Sequence, residues 1–407
     1  MMKILKTPPH QGNLILGIFL LLYATNGYLI FGQIGKFTCL ILGVFFILRS
    51  VLISKSTPIG FFLLLKSFIY FMILLFISFV LNQQTVTTTN IIFDLVCFSL
   101  FVLGACVGKW KITHLEISKK LKVLMYLLII YGNYMFYAIQ FSFVSGNAFS
   151  REFADETLNP IGVAYAQAQL FFLFFFILKI ETNFLLRCLN LGSLLSIVLV
   201  IIITESRGPV VFLILSLIFI YFKKIKIIFS KKSILTISIL FLIFSFVFSR
   251  NHLIRSKVET TVDRFELAFN FLSKKNNTDS SLRDRQNLQN VFFKNYDQMY
   301  LGYENYKPYP HNQFIEIFMR FGFFGLPLYV LSITSFINCV KLISRDKTLK
   351  DSIGYLIMIV FLFTYLQSMS SLTLDNNRMM WFGFGFLLTF YKNSQKQLTI
   401  EIPVEKS

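Results

Sequence analysis

The chain has 407 residues, of which 55% are hydrophobic, 50 are Phe and only 14% are charged. Apolar runs of 17 to 25 residues recur along most of it, each long enough to cross about 30 Å of hydrocarbon, so a soluble globular protein is excluded and an all-α, polytopic transmembrane helix bundle is predicted. The five cysteines (Cys39, Cys97, Cys106, Cys188, Cys339) sit inside apolar runs without metal-ligand spacing, so neither a disulfide framework nor a zinc site is expected.

At the amino terminus Lys3 and Lys6 precede a long apolar run, and no small-residue cleavage site follows before the next one, so this run reads as a retained start anchor. About twelve spans are predicted, near 12–32, 37–54, 59–81, 91–108, 121–145, 161–180, 184–204, 209–222, 233–249, 322–342, 353–372 and 379–391. The organisation is then a bundle of nine spans over 1–249, an extracytoplasmic loop over 250–321, three further spans over 322–391 and a cytoplasmic tail over 392–407.

Orientation follows from the basic residues. With both termini in the cytoplasm, the inner loops and tails carry twenty-three Lys and Arg, whereas the short outer loops carry only Lys36, Arg151, Arg207 and Arg378. Short cytoplasmic loops retain positive charge, so this asymmetry sets the topology. It also accounts for most of the +19 net charge through topology and attraction to anionic membrane lipid, without nucleic acid as a partner. Residues 250–310, the segment 146–160 and the turn Glu205-Ser206-Arg207-Gly208 then share the outer face, where no ATP is available. Transfer chemistry there needs a donor that arrives already activated.

The long outer loop has helical periodicity. Val258, Val262, Phe265, Phe269 and Leu272 fall on one face, which predicts an amphipathic helix lying on the bundle or the membrane surface. A second helix starts at Ser281, with Asp284 as a weak capping-box partner. On it Arg283, Asn287, Asn290 and Lys294 form a polar stripe, Leu288, Val291 and Phe292 face the other way, and Arg285 points elsewhere than Arg283. Pro308 and Pro310 hold the next stretch extended, and Asn312 is the expected N-cap of a third helix with His311 at its start. Asn312, Glu316 and Arg320 make a polar stripe in which Glu316 and Arg320 are expected to pair, and Gly322 and Gly325 are expected to allow close helix packing.

His311-Asn312, nine residues, Gly322, two residues and Gly325 resemble the hallmark of the O-antigen ligase and polymerase superfamily. The preceding Arg283 and Leu301-Gly302-Tyr303 resemble the loop that leads to it, and Ser206-Arg207-Gly208 at the outer start of a span is a second match. The resemblance covers roughly residues 200–390. The chain departs from the pattern at Asn287, where an aromatic is usual, at Glu304, where a second Gly is usual, and at Arg320, where an acidic residue is often found. The first two departures leave open whether Arg283 or Arg285 holds the family's role.

The resemblance implies a bundle like that of GT-C type glycosyltransferases and a metal-independent, inverting transfer with no cofactor. The donor would be a polyprenyl-diphosphate-linked glycan and the acceptor a sugar hydroxyl on a repeat unit or on lipid A core. A chain-length regulator protein is a further implied partner. The location implied is the bacterial inner membrane, with the active site on its outer face. The residues suit this chemistry. Negative charge grows on the diphosphate as the glycosidic bond breaks, and the guanidinium groups of Arg207 and Arg283 bind phosphate oxygens without losing charge. His311, with an unperturbed pKa of about 6.5, suits removal of the acceptor proton. Arg285, Asn312, Tyr303 and Arg151 complete the candidate substrate-binding set. The ten residues between Arg151 and Gly162 give a spacing that resembles an outer-loop motif of some polymerases.

Each of these residues also has a plainer use. An arginine at a span end snorkels to the interface, and a histidine at a helix start is often only that. Lys66 and Asp94 lie inside predicted spans at different depths, so structural use is expected of both. Three activities stand against one another: a polymerase, favoured by the Arg151 spacing, a ligase that differs only in acceptor, and a glycan-lipid flippase or transporter. The last is disfavoured because the halves of the chain show no similarity and the polar candidates gather on one face.

Overall fold

The computed structural model of the protein describes residues 9–53, 61–81, 88–108, 117–142, 160–221, 252–273, 280–302, 312–346, 349, 352–370 and 377–400. Its helices are α1 (Pro9–Ile53), α2 (Phe61–Leu81), α3 (Thr88–Val107), α4 (Lys119–Ser142), α5 (Pro160–Ile180), α6 (Phe184–Ile203) and α7 (Arg207–Tyr221). They continue with α8 (His252–Leu272), α9 (Ser280–Asn295), α10 (Gln313–Phe321), α11 (Leu326–Arg345), α12 (Ile353–Ser368) and α13 (Arg378–Ile400). Among the described residues there is no β-strand. Among the described residues five helical segments are long and apolar enough to cross a membrane: Ile30–Ile53, Lys119–Ala138, Ile161–Ile180, Phe184–Ile203 and Gln313–Arg345. The other predicted spans fall on helix as well, except 233–249, which lies outside the described residues.

The first two predicted spans are the arms of α1. The helix breaks at Phe31 and at Gly32, whose φ of 64° is a left-handed conformation that glycine adopts without cost. The arms return in contact. A Cβ on Gly35 would overlap the carbonyl of Gly27, and one on Gly17 would abut Ile47 and the carbonyl of Gly43.

The chain groups into two compact units. The first comprises Met1–Leu21, Leu40–Lys122 and Arg283–Ser407. Its centre is the close contact of α3 with α13. Gly104 faces the carbonyl of Phe382, Gly108 faces Phe386 and Thr389, and Gly385 faces the carbonyl of Phe101, so backbones touch where a Cβ would not fit. Small residues four apart are the means by which helices in lipid gain van der Waals contact, since apolar burial there offers no drive. Thr389 Oγ1 adds a hydrogen bond of 2.9 Å to the Ala105 carbonyl. On the other side Phe71 of α2 stacks on Phe98 of α3 with ring centroids 4.6 Å apart. The Tyr70 hydroxyl donates to the carbonyl of Phe324, joining α2 to the turn before α11.

The second unit comprises Leu22–Cys39 and Val123–Leu282. Its interior holds a ladder of polar side chains from four helices. Gln167 Nε2 donates to Asn26 Oδ1 at 2.7 Å, Asn26 Nδ2 to Asn133 Oδ1 at 3.2 Å, and Asn133 Nδ2 to Ser196 Oγ at 2.9 Å. All but Ser196 are buried. Unpaired amides are costly in an apolar interior, so this ladder fixes how α1, α4, α5 and α6 meet.

α8 belongs to the second unit and forms as predicted. Thr261 is buried, whereas Val262 and Phe269 of the apolar stripe are 57% and 68% exposed. Val258 and Phe265 of the same stripe are half-buried, so part of it faces away from the unit and part rests against it. Gly322 also differs from expectation. It serves a turn rather than helix packing, with φ at 57°, and the backbone it lets approach is that of Tyr300 and Gly302.

Candidate functional site

The turn between α6 and α7 is built by the triplet singled out in the sequence. α6 ends at Thr204, and Glu205 takes a φ of 53°, the left-handed region that a non-glycine residue enters only at a cost. This reversal buries Ser206 and makes Arg207 the first residue of α7. A Cβ on Gly208 would overlap the hydroxyl of Tyr165, so a larger residue there would displace that side chain of α5.

Arg207 reaches out of this turn to α8. Its Nη1 donates to the carbonyl of Arg264 at 2.6 Å, and Arg264 Nη1 donates to the carbonyl of Glu205 at 2.8 Å. The two arginines thus clasp the turn to the loop helix from both sides. A cation at the first residue of a helix adds to the positive end of the helix dipole instead of offsetting it. Both arginines are half-buried, Glu205 is the acidic residue of the turn, and Asp263 precedes Arg264 on α8.

The remaining described candidates lie in the first unit. On α9, Arg283, Asn287, Asn290 and Lys294 are all exposed, whereas Leu288 and Val291 are half-buried and Phe292 is buried, as the periodicity predicts. Arg285 is half-buried, on a different side from Arg283. α9 and the turn after it pack on α10 through Phe292, Met299, Ile315, Phe318 and Met319, with the Phe292 and Phe318 rings edge to face at 5.4 Å.

Asn312 caps α10 as expected. Its Oδ1 accepts from the backbone N–H groups of Phe314 at 3.0 Å and Ile315 at 3.3 Å. Glu316 and Arg320 form the expected ion pair at 3.9 Å, both buried, and the guanidinium lies 5.2 Å from the Phe321 ring centroid. At the end of α10 the two glycine motifs meet. A Cβ on Gly322 would overlap the Tyr300 carbonyl, while one on Gly302, whose φ is 102°, would press on the carbonyl of Arg320. The Phe323 N–H donates to the Tyr300 carbonyl at 3.0 Å and locks this contact.

The structure thus joins the helix of Arg283 and Arg285 to the helix capped by Asn312, and holds Arg207 within the second unit. His311, Arg151 and Tyr303 lie outside the described residues. Arg264 was not among the candidates. It follows the apolar stripe of α8 as one of several charges, and nothing in the local pattern separates it from Asp263 or Glu266. Among the described residues no cluster of His, Cys, Asp and Glu is arranged to hold a metal ion. No protein-family model, curated protein or solved structure matches the chain.

Proposed function

We propose that the chain is a membrane glycosyltransferase that polymerises polyprenyl-diphosphate-linked oligosaccharide repeat units into O-antigen or a related surface polysaccharide. It acts on the outer face of the bacterial inner membrane, with about twelve spans in a bundle of the GT-C type and both termini in the cytoplasm. The observation that supports this most is the seating of Gly302 on the end of α10 and of Gly322 under Tyr300. The two blocks that resemble the superfamily are packed together through contacts only glycine permits.

In this reading Arg207 and Arg283 hold the donor diphosphate, with Arg285 as the alternative loop arginine. His311, immediately before the Asn312 cap, takes the proton of the acceptor hydroxyl. The hydroxyl oxygen attacks the anomeric carbon, the bond to the diphosphate oxygen breaks with inversion, and the arginines carry the charge left on the polyprenyl diphosphate. Tyr303 and Arg151 contribute to binding sugar or phosphate, no metal or cofactor takes part, and a chain-length regulator is the proposed protein partner.

The ladder of Asn26, Asn133, Gln167 and Ser196 is the observation that favours the transporter reading, because transporters hold polar groups inside the bundle. The ladder is uncharged, however, and its members bond mainly to one another. Purified protein in liposomes, supplied with a polyprenyl-diphosphate oligosaccharide, separates the readings. A ladder of growing polymer supports the polymerase, single addition to lipid A core points to the ligase, and lipid movement without transfer points to the transporter.

A further inference from the structure

Within the first unit, α2, α3, α11 and α13 line a cavity of about 300 Å³, close to the lower size of small-molecule sites. Its walls are apolar and largely aromatic, including Phe71, Phe98, Phe101 and Trp381. Two charged side chains also line it, Lys66 and Lys392.

The helix directions bring these lysines to one end. α2 and α3 form an antiparallel hairpin, since Phe71 lies ten residues before the end of α2 and stacks on Phe98, ten residues after the start of α3. α3 and α13 run parallel, since Gly104 faces Phe382 and Gly108 faces Phe386. α2 is therefore antiparallel to α13. Lys66, in the second turn of α2, and Lys392, beyond Trp381, Phe384 and Leu388 on α13, share the same end. Both are exposed, and neither takes part in the ion pairs found among the described residues.

A chamber with apolar walls and two ammonium groups at one end has the chemistry of a lipid with an anionic head. We infer that it holds an acyl chain of an anionic phospholipid, with the lipid phosphate between Lys66 and Lys392. The chain fills the aromatic walls, and each ammonium supplies a charge-assisted hydrogen bond to a phosphate oxygen. The glycan donor does not fit this position. In the proposed reading its diphosphate belongs at the outer face, whereas the same topology puts Lys66 and Lys392 towards the cytoplasmic ends of their helices. The inference rests on the membrane part of that reading and is independent of glycosyl transfer.

The test uses the full chain in nanodiscs containing equal phosphatidylglycerol and phosphatidylcholine, with lipids retained after extraction measured by native mass spectrometry. A lysine near an anionic lipid contributes about fivefold, so about thirtyfold preference for phosphatidylglycerol is expected. Lys66→Gln with Lys392→Gln should abolish the preference. Lys66→Arg with Lys392→Arg should keep it, which separates lost binding from lost fold. Leu331→Trp fills the cavity and leaves both lysines, and it should release the lipid. No preference in the wild type, full retention in Leu331→Trp, or displacement of phosphatidylglycerol by an equal amount of polyprenyl phosphate would overturn the inference. Its failure leaves transfer assays untouched.

Discussion

The guanidinium of Arg207 donates to the Arg264 carbonyl at 2.6 Å, and the guanidinium of Arg264 donates back across the same turn to the Glu205 carbonyl at 2.8 Å. Each arginine therefore fixes the backbone on which the other depends. A hydrogen bond from a charged donor is worth about 1.5–3 kcal/mol, so Arg264→Ala is expected to lower stability by about that amount. Under the proposed function it should also lower polymer formation by loosening Arg207. Thermal melting and polymer yield check both effects, and unchanged melting with unchanged yield would count against the clasp.

The loop arginines differ in setting. Arg283 stands on the exposed stripe of α9 and Arg285 is half-buried. If Arg283 binds the diphosphate, Arg283→Lys keeps the charge but loses the planar fork, and polymer should fall by about a hundredfold at normal membrane abundance. Arg207→Lys should behave alike. Arg285→Lys is the comparison, and loss of polymer in that variant alone would move the role to Arg285.

Glycine at 322 answers two demands, a φ of 57° and contact with Tyr300. Gly322→Ala is expected to destabilise the protein by more than the roughly 1 kcal/mol a helical glycine position tolerates, with about 1–3 kcal/mol from the backbone alone. Gly162 has open space where its Cβ would stand, so Gly162→Ala should be close to neutral or stabilising. Melting of the two variants side by side provides the check.

Topology has its own test. Cysteines introduced at Lys275 and Ser150 should react with an impermeant reagent from outside intact cells, and one at Lys231 should not. Labelling of the Lys231 position alone would reverse the orientation.

The helices and their polar stripes were legible because periodicity and caps are local. The exposed face of α9, the Asn312 cap and the Glu316–Arg320 pair follow from spacing alone. The orientation of α8 was not. Next to lipid an apolar face has no need of protein, so the pattern that includes Val262 and Phe269 does not say which side touches the bundle. The Arg207–Arg264 clasp, the amide ladder and the contact of Gly104 and Gly108 with α13 pair residues 57 to more than 250 positions apart, and no local pattern encodes such partners.

His311 carries the central claim. Asn312→Ala should cost about 1 kcal/mol of stability and little activity if the side chain only caps α10. If the arginines hold the diphosphate as proposed, His311→Ala should retain donor binding yet lose about a hundredfold to ten-thousandfold in transfer. Its trace activity should rise with pH as the acceptor hydroxyl ionises more easily. The decisive measurement is reconstituted transfer from a polyprenyl-diphosphate oligosaccharide by wild type and His311→Ala across pH, with donor binding measured in parallel and chelator present. The account predicts lost transfer with intact binding in the variant and no effect of chelator on the wild type. Full transfer by His311→Ala would contradict it.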